Sequence, residues 1–239
     1  MMNFRGKNIL VVGGSSGIGL ELVNMLASMG AQIFNASRTK SEHWPDGLIH
    51  IPIDVLSNID LLAEQVPNKL DGLVYAVGSI NLKPFSRYNE DDFINDYKLN
   101  VTGAVRCIQL AYRSLRNSGS ASIVLLSSVA AKTGMPFHAS IAAAKGGVES
   151  LALSLAAEFA SQNIRVNVVA PSLTDTSLAG NLLNTPEKRE ASAKRHPLGR
   201  IGKPEDIASA ISFLLSDESG WISGQVLGID GGMGNLKTM

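Results

Sequence analysis

Three glycines near the start of the chain, Gly13, Gly17 and Gly19, are spaced to receive an anion. They follow the apolar run Asn8-Ile-Leu-Val-Val12 and precede an amphipathic pattern of Leu20, Leu22, Val23, Leu26 and Ala27. A buried strand, a glycine turn and a helix N-terminus therefore come in immediate succession. Such a turn aims unpaired helix N–H groups and the positive end of the helix dipole at a negative charge. Without side chains at Gly13, Gly17 and Gly19, a pyrophosphate can approach the backbone. The expected chemistry is dinucleotide binding by Gly13, Ser15, Ser16, Gly17, Ile18 and Gly19. Many strand-to-helix turns carry glycine for conformational reasons alone; here the flanking strand and helix patterns give the glycines their chemical meaning.

The end of the second strand decides which dinucleotide is preferred. A carboxylate there would bind the ribose hydroxyls of NAD and repel a 2′-phosphate. This chain has Ser37-Arg38-Thr39 instead, with no acid before Glu42. A guanidinium and two hydroxyls suit the 2′-phosphate of NADP, so NADP(H) is expected over NAD(H). Seen alone, Arg38 reads as an ordinary solvated loop arginine. Its place one turn beyond a dinucleotide strand is what favours the phosphate.

The elements that must position these groups follow from hydrophobic periodicity. Strands are predicted at 8–12, 31–36, 48–53, 72–76, 121–127, 164–170 and 226–229, and helices at 18–29, 90–115, 139–161 and 204–215. Strands too apolar to face water, alternating with helices, predict an α/β fold. It is a Rossmann-type doubly wound parallel sheet flanked by helices on both faces. No repeat, low-complexity segment or linker divides the chain, so residues 1–239 are read as a single domain. Between the second and third strands, Thr39 to Gly47 includes Pro45 and barely admits a helix. A loop or a single turn is expected there.

Composition excludes some partners. The 239 residues carry 21 basic and 21 acidic side chains, so nothing points to nucleic acid or an anionic membrane. No apolar run approaches membrane-spanning length, no signal-peptide pattern opens the chain, and a cytoplasmic protein is expected. The single cysteine, Cys107, lies in a helical pattern and reads as a small buried hydrophobe. No metal site is expected.

Taken with its surroundings, the spacing Gly13-x-x-x-Gly17-x-Gly19 resembles the short-chain dehydrogenase/reductase family. In that family the residue before the first glycine is usually threonine; Val12 stands here, and one side-chain hydrogen bond of the turn is expected to be missing. The resemblance continues along nearly the whole chain. It implies Asp54, with Val55 beside it, at the adenine ring, although an Asp there is also a common turn residue. Tyr75-Ala76-Val77-Gly78 replaces the usual Asn-Asn-Ala-Gly. Ala76 and Gly78 keep the backbone contact to the adenosine ribose, while side-chain bracing of the central strand is expected to be lost. Lys98-Leu-Asn-Val-Thr-Gly103 implies Asn100 as the catalytic asparagine. Ile123-Val-Leu-Leu-Ser-Ser128 implies Ser128 as the serine that polarises the substrate carbonyl. Pro171-Ser-Leu-Thr-Asp-Thr176 implies Pro171, Thr174 and Thr176 over the nicotinamide, with Ser172 replacing glycine. The C-terminal third looks most like 3-oxoacyl-acyl-carrier-protein reductases.

At its centre the match departs from the family. The family tyrosine falls thirteen residues after the serine, which here is Ile141, while Lys145 stands where the family lysine should be. Positions 141 and 145 share one helix face. The resemblance implies that Lys145 binds the nicotinamide ribose. A phenol normally protonates the nascent alkoxide, and losing such an acid forfeits ~10²–10⁴-fold in rate. His138, one turn before Ile141, is the candidate replacement, since imidazole alone titrates near neutrality. Read blandly, His138 is a loop residue and Ser140 a helix N-cap. Tyr97, one turn before Asn100, reads as packing.

Three functions follow. The first is an NADP(H)-dependent oxidoreductase acting on a carbonyl or alcohol with a replaced acid. The second is an enoyl-thioester reductase, whose product proton goes to carbon and needs a phenol less; 2,4-dienoyl-CoA reductases are relatives that lack the tyrosine. The third is a non-catalytic nucleotide-binding subunit or sensor. The substrate is expected to be a small molecule, covered by residues 176–197, where Leu178, Leu182 and Leu183 precede the polar run Glu187-Lys-Arg-Glu190. The resemblance also implies a homo-oligomer, a tetramer or dimer, through the helices at 90–115 and 139–161, on whose faces lie Leu151, Leu153, Leu155 and Phe159.

Overall fold

The apolar runs become strands because their side chains fill both faces of one sheet. In β1 (Asn8–Val12), Leu10 and Val12 enter one core while Ile9 and Val11 enter the other, the period of two that a strand imposes. The computed structural model describes residues 2–237. It continues with β2 (Gln32–Ser37), β3 (Ile49–Pro52), β4 (Gly72–Tyr75), β5 (Ala121–Leu126), β6 (Ile164–Pro171) and β7 (Val226–Ile229). The helices are α1 (Gly17–Ser28), α2 (Leu62–Gln65), α3 (Glu90–Tyr97), α4 (Gly103–Ser118), α5 (Ala139–Phe159), α6 (Pro186–Lys194) and α7 (Pro204–Leu215).

All seven strands are parallel, in the order β3-β2-β1-β4-β5-β6-β7. Helices α1 and α7 cover one face, through Leu22, Val23, Leu26, Ile207, Ile211 and Leu214. Helices α4 and α5 cover the other, through Cys107, Ile108, Leu115, Val148 and Phe159. The fold is the expected doubly wound single domain. Cys107 is fully buried there, as expected of a small hydrophobe. No helix among the described residues is long and apolar enough to cross a membrane.

No helix joins β2 to β3, in keeping with the loop expected there. Trp44 covers that side instead. Its indole N–H donates to the Gly14 carbonyl at 2.8 Å, and its ring lies 5.0 Å from that of His50.

The helix expected over 90–115 is not continuous. α3 ends at Tyr97, a π-turn spans Lys98–Thr102, and α4 begins at Gly103. The Gly103 N–H bonds the Lys98 carbonyl, one residue further back than an α-helix requires. That frees the Leu99 carbonyl, which accepts from the Tyr75 hydroxyl at 2.6 Å. Only glycine fits at 103, because a Cβ there would collide with the same hydroxyl. The bracing of the central strand expected to be lost with the family asparagines is therefore supplied by Tyr75.

Candidate active site

Strand order reverses at β1, whose neighbours β2 and β4 lead to opposite edges of the sheet. At such a switch point the loops leaving the strands part and open a crevice. Here it is a cleft of about 760 Å³ at the carboxyl ends of the strands. Gly13, Ser15, Ser16, Gly17, Ile18 and Gly19 form its floor.

The turn is tight for internal reasons. Any Cβ on Gly19 would strike the Gly13 carbonyl oxygen. Gly13 has φ +96°, and its Cβ would stand 3.1 Å from the Ala76 backbone at the end of β4. Substituting Gly13 therefore disturbs the fold as well as any ligand. The turn does not lack a side-chain bond despite Val12. Fully buried Asn35 accepts the Gly14 N–H at 2.9 Å and donates to Ser37 Oγ at 3.0 Å. Asn35 carries no motif that sequence could have flagged.

At the next rim, Ser37, Arg38 and Thr39 line the cleft, with Arg38 exposed. The Ser37 hydroxyl is already engaged, since it donates to the Thr39 carbonyl at 2.9 Å. Ser37, Arg38 and Thr39 all stay at the cleft, with the Ser37 proton directed to the main chain. Asp54 and Val55 line the cleft beyond them. The turn reading of Asp54 holds, because its carboxylate accepts the Leu56 N–H at 2.9 Å.

The deep wall is built by β5 and α5. The buried stripe of α5 runs Ile141, Ala144, Lys145, Val148, Ala152, Ala156 and Phe159, so Lys145 is carried inward by its place on an apolar helix face. Its ammonium donates to the Leu126 carbonyl at 2.8 Å. Burial pulls the lysine down to about 8, and the Asp96 carboxylate opposes that fall. Ser128, Ile141 and His138 line the same wall. The Ser128 hydroxyl accepts the Ala130 N–H at 3.2 Å, which leaves its proton free for the cleft.

Asn100 departs from expectation in position. It does not line the cleft but stands behind Gly78, 1% exposed. Its Nδ2 donates to the Asp96 carbonyl at 2.8 Å, and its Oδ1 has no partner among the described residues. A Cβ on Gly78 would lie 3.4 Å from both Asn100 Oδ1 and Lys145 Nζ. An orphaned acceptor and an ammonium flanking a glycine suit a ligand hydroxyl. With the glycine floor, this donor set fits a nicotinamide dinucleotide.

His138 caps α5 without a side-chain cap bond, and its Nδ1 meets the Pro136 carbonyl at 2.7 Å. That contact places a proton on Nδ1 and leaves Nε2 uncommitted. Ser140 is not the N-cap; it lies inside α5 and donates to Asp96 Oδ2 at 2.6 Å. Tyr97 is half exposed, and its ring edge lies against Gly147 of α5.

Pro171, Ser172, Thr174 and Thr176 close the opposite wall, with Ala76 and Gly78 between. Leu178 and Leu182 face the cleft, whereas Leu183 is buried in the body and is no part of a substrate wall. The polar run of α6 ties the segment down, because Arg189 grips Asp175 at 2.6 and 3.0 Å. A pair that sequence reasoning missed also lies here. Buried His196 sets Nε2 2.9 Å from Ser172 Oγ and Nδ1 2.8 Å from the Ser192 carbonyl. Only the replacement of glycine by Ser172 hinted at it. Among the described residues, no group of three or more His, Cys, Asp or Glu could hold a metal.

The fold and cleft define a dinucleotide-binding oxidoreductase domain, and residues 12–234 match the family described as enoyl-(acyl carrier protein) reductase. The chain belongs to the short-chain dehydrogenase/reductase family. It is 36% identical over 242 residues to a tropinone reductase homologue of Arabidopsis thaliana, covering 95% of this chain and 92% of the relative. It is 35% identical over 247 residues to the 3-oxoacyl-acyl-carrier-protein reductase of Thermotoga maritima, covering 97% and 99%. A solved short-chain dehydrogenase/reductase from Mycobacterium ulcerans superimposes with a TM-score of 0.88 at 28% identity, covering 97% of this chain and 91% of that one.

Proposed function

We propose that this protein is an NADP(H)-dependent oxidoreductase acting on the carbonyl or alcohol of a small molecule, in a site where Ile141 replaces the family's tyrosine. The observation that carries this reading is the convergence of the glycine floor, Arg38, Ser128 and Lys145 on one cleft. The names of the tropinone and 3-oxoacyl reductase relatives point the same way, to ketones.

Each residue then has a task. Gly13, Ser15, Ser16, Gly17, Ile18 and Gly19 receive the pyrophosphate, and Arg38 and Thr39 the 2′-phosphate. Asp54 and Val55 border the adenine; Ala76 and Gly78 border the adenosine ribose. Pro171, Thr174 and Thr176 hold the nicotinamide end, whose bound ring supplies or takes up the hydride. The Ser128 hydroxyl donates to the substrate oxygen. Lys145, backed by Asn100, holds the ribose. His138 exchanges the proton through Nε2, the nitrogen not committed to Pro136. Residues 176–197 cover the substrate, with Leu178 and Leu182 as its apolar side. Assembly as a tetramer or dimer would use the outer faces of α4 and α5, where Leu153 is exposed.

A second reading is favoured by Ile141 itself and by the family's description. In an enoyl-thioester reductase the proton ends on carbon, so an apolar side chain beside the oxygen is less costly. The experiment is an NADPH-consumption screen across ketones, aldehydes and enoyl thioesters. Oxidation with ketones supports the first reading, and with enoyl thioesters alone the second. NADPH binding without turnover on any class points to a nucleotide-binding subunit.

A further inference from the structure

One buried charge behind the cleft has no task in the scheme above. Asp96, in the last turn of α3, is 4% exposed. Ser79 Oγ donates to its Oδ1 at 2.7 Å; Ser140 Oγ donates to Oδ2 at 2.6 Å and Asn81 Nδ2 at 3.4 Å. The Ser140 hydroxyl also faces the Asp92 carbonyl at 3.1 Å, so its proton points to one of two acceptors and the shorter contact is to Asp96. Donors surround this carboxyl on both oxygens. That shell supplies hydrogen-bond partners to both carboxylate oxygens and no formal positive charge.

A buried anion is costly unless a cation balances it. Nearby acids have their own cations. Asp92 is held by Lys83 at 2.5 Å, and Glu149 by Lys132 at 3.5 Å with Ser127 Oγ at 2.8 Å. Asp96 is held by neutral donors only. The cation in its layer is Lys145, and two short links join them. Gly78 lies against Lys145 Nζ, and its neighbour Ser79 bonds the Asp96 carboxylate. Asn100 flanks the same glycine and bonds the Asp96 main chain. The other contact made by the ammonium, to the Leu126 carbonyl, is uncharged. His138, the remaining titratable group on this end of α5, is tied to Pro136. Across the cleft, His196 is tied to Ser172 and Ser192.

We infer that Asp96 is the counter-charge of Lys145, a positioning residue that keeps the lysine of the cleft an ammonium where Ile141 offers no phenol to share its proton. The electrostatics agree: burial lowers Lys145 to about 8, and Asp96 is the charge that resists. What the ammonium does in turnover rests on the reading proposed above; the pairing itself does not. A phenol at 141 would place a second acidic group beside the lysine. With isoleucine there, a carboxylate one layer back does the balancing without entering the cleft.

The test uses the unliganded protein labelled with ¹³Cε-lysine, its Lys145 signal assigned by loss in Lys145→Arg. Asp96→Asn, nearly isosteric, should make Lys145 titrate about one pH unit lower than in the wild type. An unchanged titration overturns the inference. Should Asp96→Asn not fold, Asp96→Glu, which keeps the charge, and the double variant Ser79→Ala/Ser140→Ala, which removes the donors that hold it, decide: a Lys145 titration kept in the first and lowered in the second is expected, and no change in either overturns the pairing. NADPH binding to the wild type is measured in parallel. A protein that binds no NADPH sinks the proposed function and leaves the Asp96–Lys145 result standing.

Discussion

The hydroxyl of Tyr75 and the carbonyl of Leu99, 2.6 Å apart, hold the end of β4 to the π-turn that sets Asn100 behind the cleft. Burial pushes the phenol's pKa upward, so it stays a donor over the whole working range of pH. Tyr75→Phe should leave the Leu99 carbonyl without its partner, at a cost of ~1–3 kcal/mol. Urea unfolding reads this directly. A midpoint equal to that of the wild type would mean that the π-turn persists without the phenol.

Arg38 is the sole basic side chain among Ser37, Arg38 and Thr39 at the rim of the cleft. Arg38→Asp should weaken NADPH by ~10- to 100-fold, through loss of a charge-assisted bond and a new repulsion, with much less effect on NADH. Dissociation constants by fluorescence for both nucleotides check it. Equal affinity of the unmodified protein for the two would remove the preference for NADP(H).

Much of the frame was legible in the sequence because it rests on local pattern. Strands buried on both faces announce themselves as apolar runs, and Gly13, Gly17 and Gly19 mark a turn by their spacing between a strand pattern and a helix pattern. Lys145 is singled out by the family resemblance, and helical period then puts it on one face with Ile141. Groups joined across long separations were not legible. Asn35 bonds Gly14 with no sequence signature, and Ser172 bonds His196 with no trace beyond the serine that replaces glycine. The π-turn is invisible for a related reason. Its cause is a tyrosine more than twenty residues earlier, and its only trace is Gly103, one glycine among 23. Asp96 reads as a surface helix acid until the fold brings Ser79 and Ser140 against it.

Lys145 should write its burial into the pH dependence of stability. Its folded value is about 8, against an ordinary 10.5. Between those values the unfolded chain holds more protons than the native one, so the wild type gains stability as pH rises through this window. Below about pH 8 the full penalty of a buried ammonium is present. Lys145→Met lacks the group. Its stability relative to the wild type should therefore be highest below pH 8 and decline by about 3 kcal/mol toward pH 10.5. Denaturant titrations of both proteins across that range give the difference, and a flat difference would show that Lys145 is not buried as an ammonium.

His196 and Ser172 make a prediction about the wall of the cleft formed by Pro171 to Thr176. With Nδ1 committed to the Ser192 carbonyl, Nε2 accepts the Ser172 proton. His196→Ala should strand the Ser172 hydroxyl and loosen the loop from Pro171 to Thr176, costing ~1–3 kcal/mol of stability. Hydrogen exchange should rise in that loop and not in the glycine turn. Unaltered exchange would mean that the loop is held by other contacts.

Ile141 is the position at which the proposed chemistry is most exposed to test. It lines the cleft, as Ser128 does, one helical turn before Lys145. Ile141→Tyr puts a phenol there. If Ser128 and Lys145 keep reductase geometry, the variant should gain ketone reduction with NADPH, by at most ~10²–10⁴-fold for a well-placed acid. A small gain is expected, because a catalytic phenol needs placement within a fraction of an ångström. Packing sets the opposing outcome. If the site is shaped around isoleucine, the ring costs about 1–3 kcal/mol of stability and adds no activity. His138→Ala is the companion variant. With Nδ1 held by Pro136, Nε2 is the only nitrogen through which His138 can pass a proton. Its loss should sharply lower whatever turnover the substrate screen finds, with NADPH affinity unchanged. A rate and pH profile untouched by His138→Ala would take the histidine out of the mechanism. Reduction of an enoyl thioester, whose proton is delivered to carbon, would then be the better account of a cleft that carries isoleucine at this position.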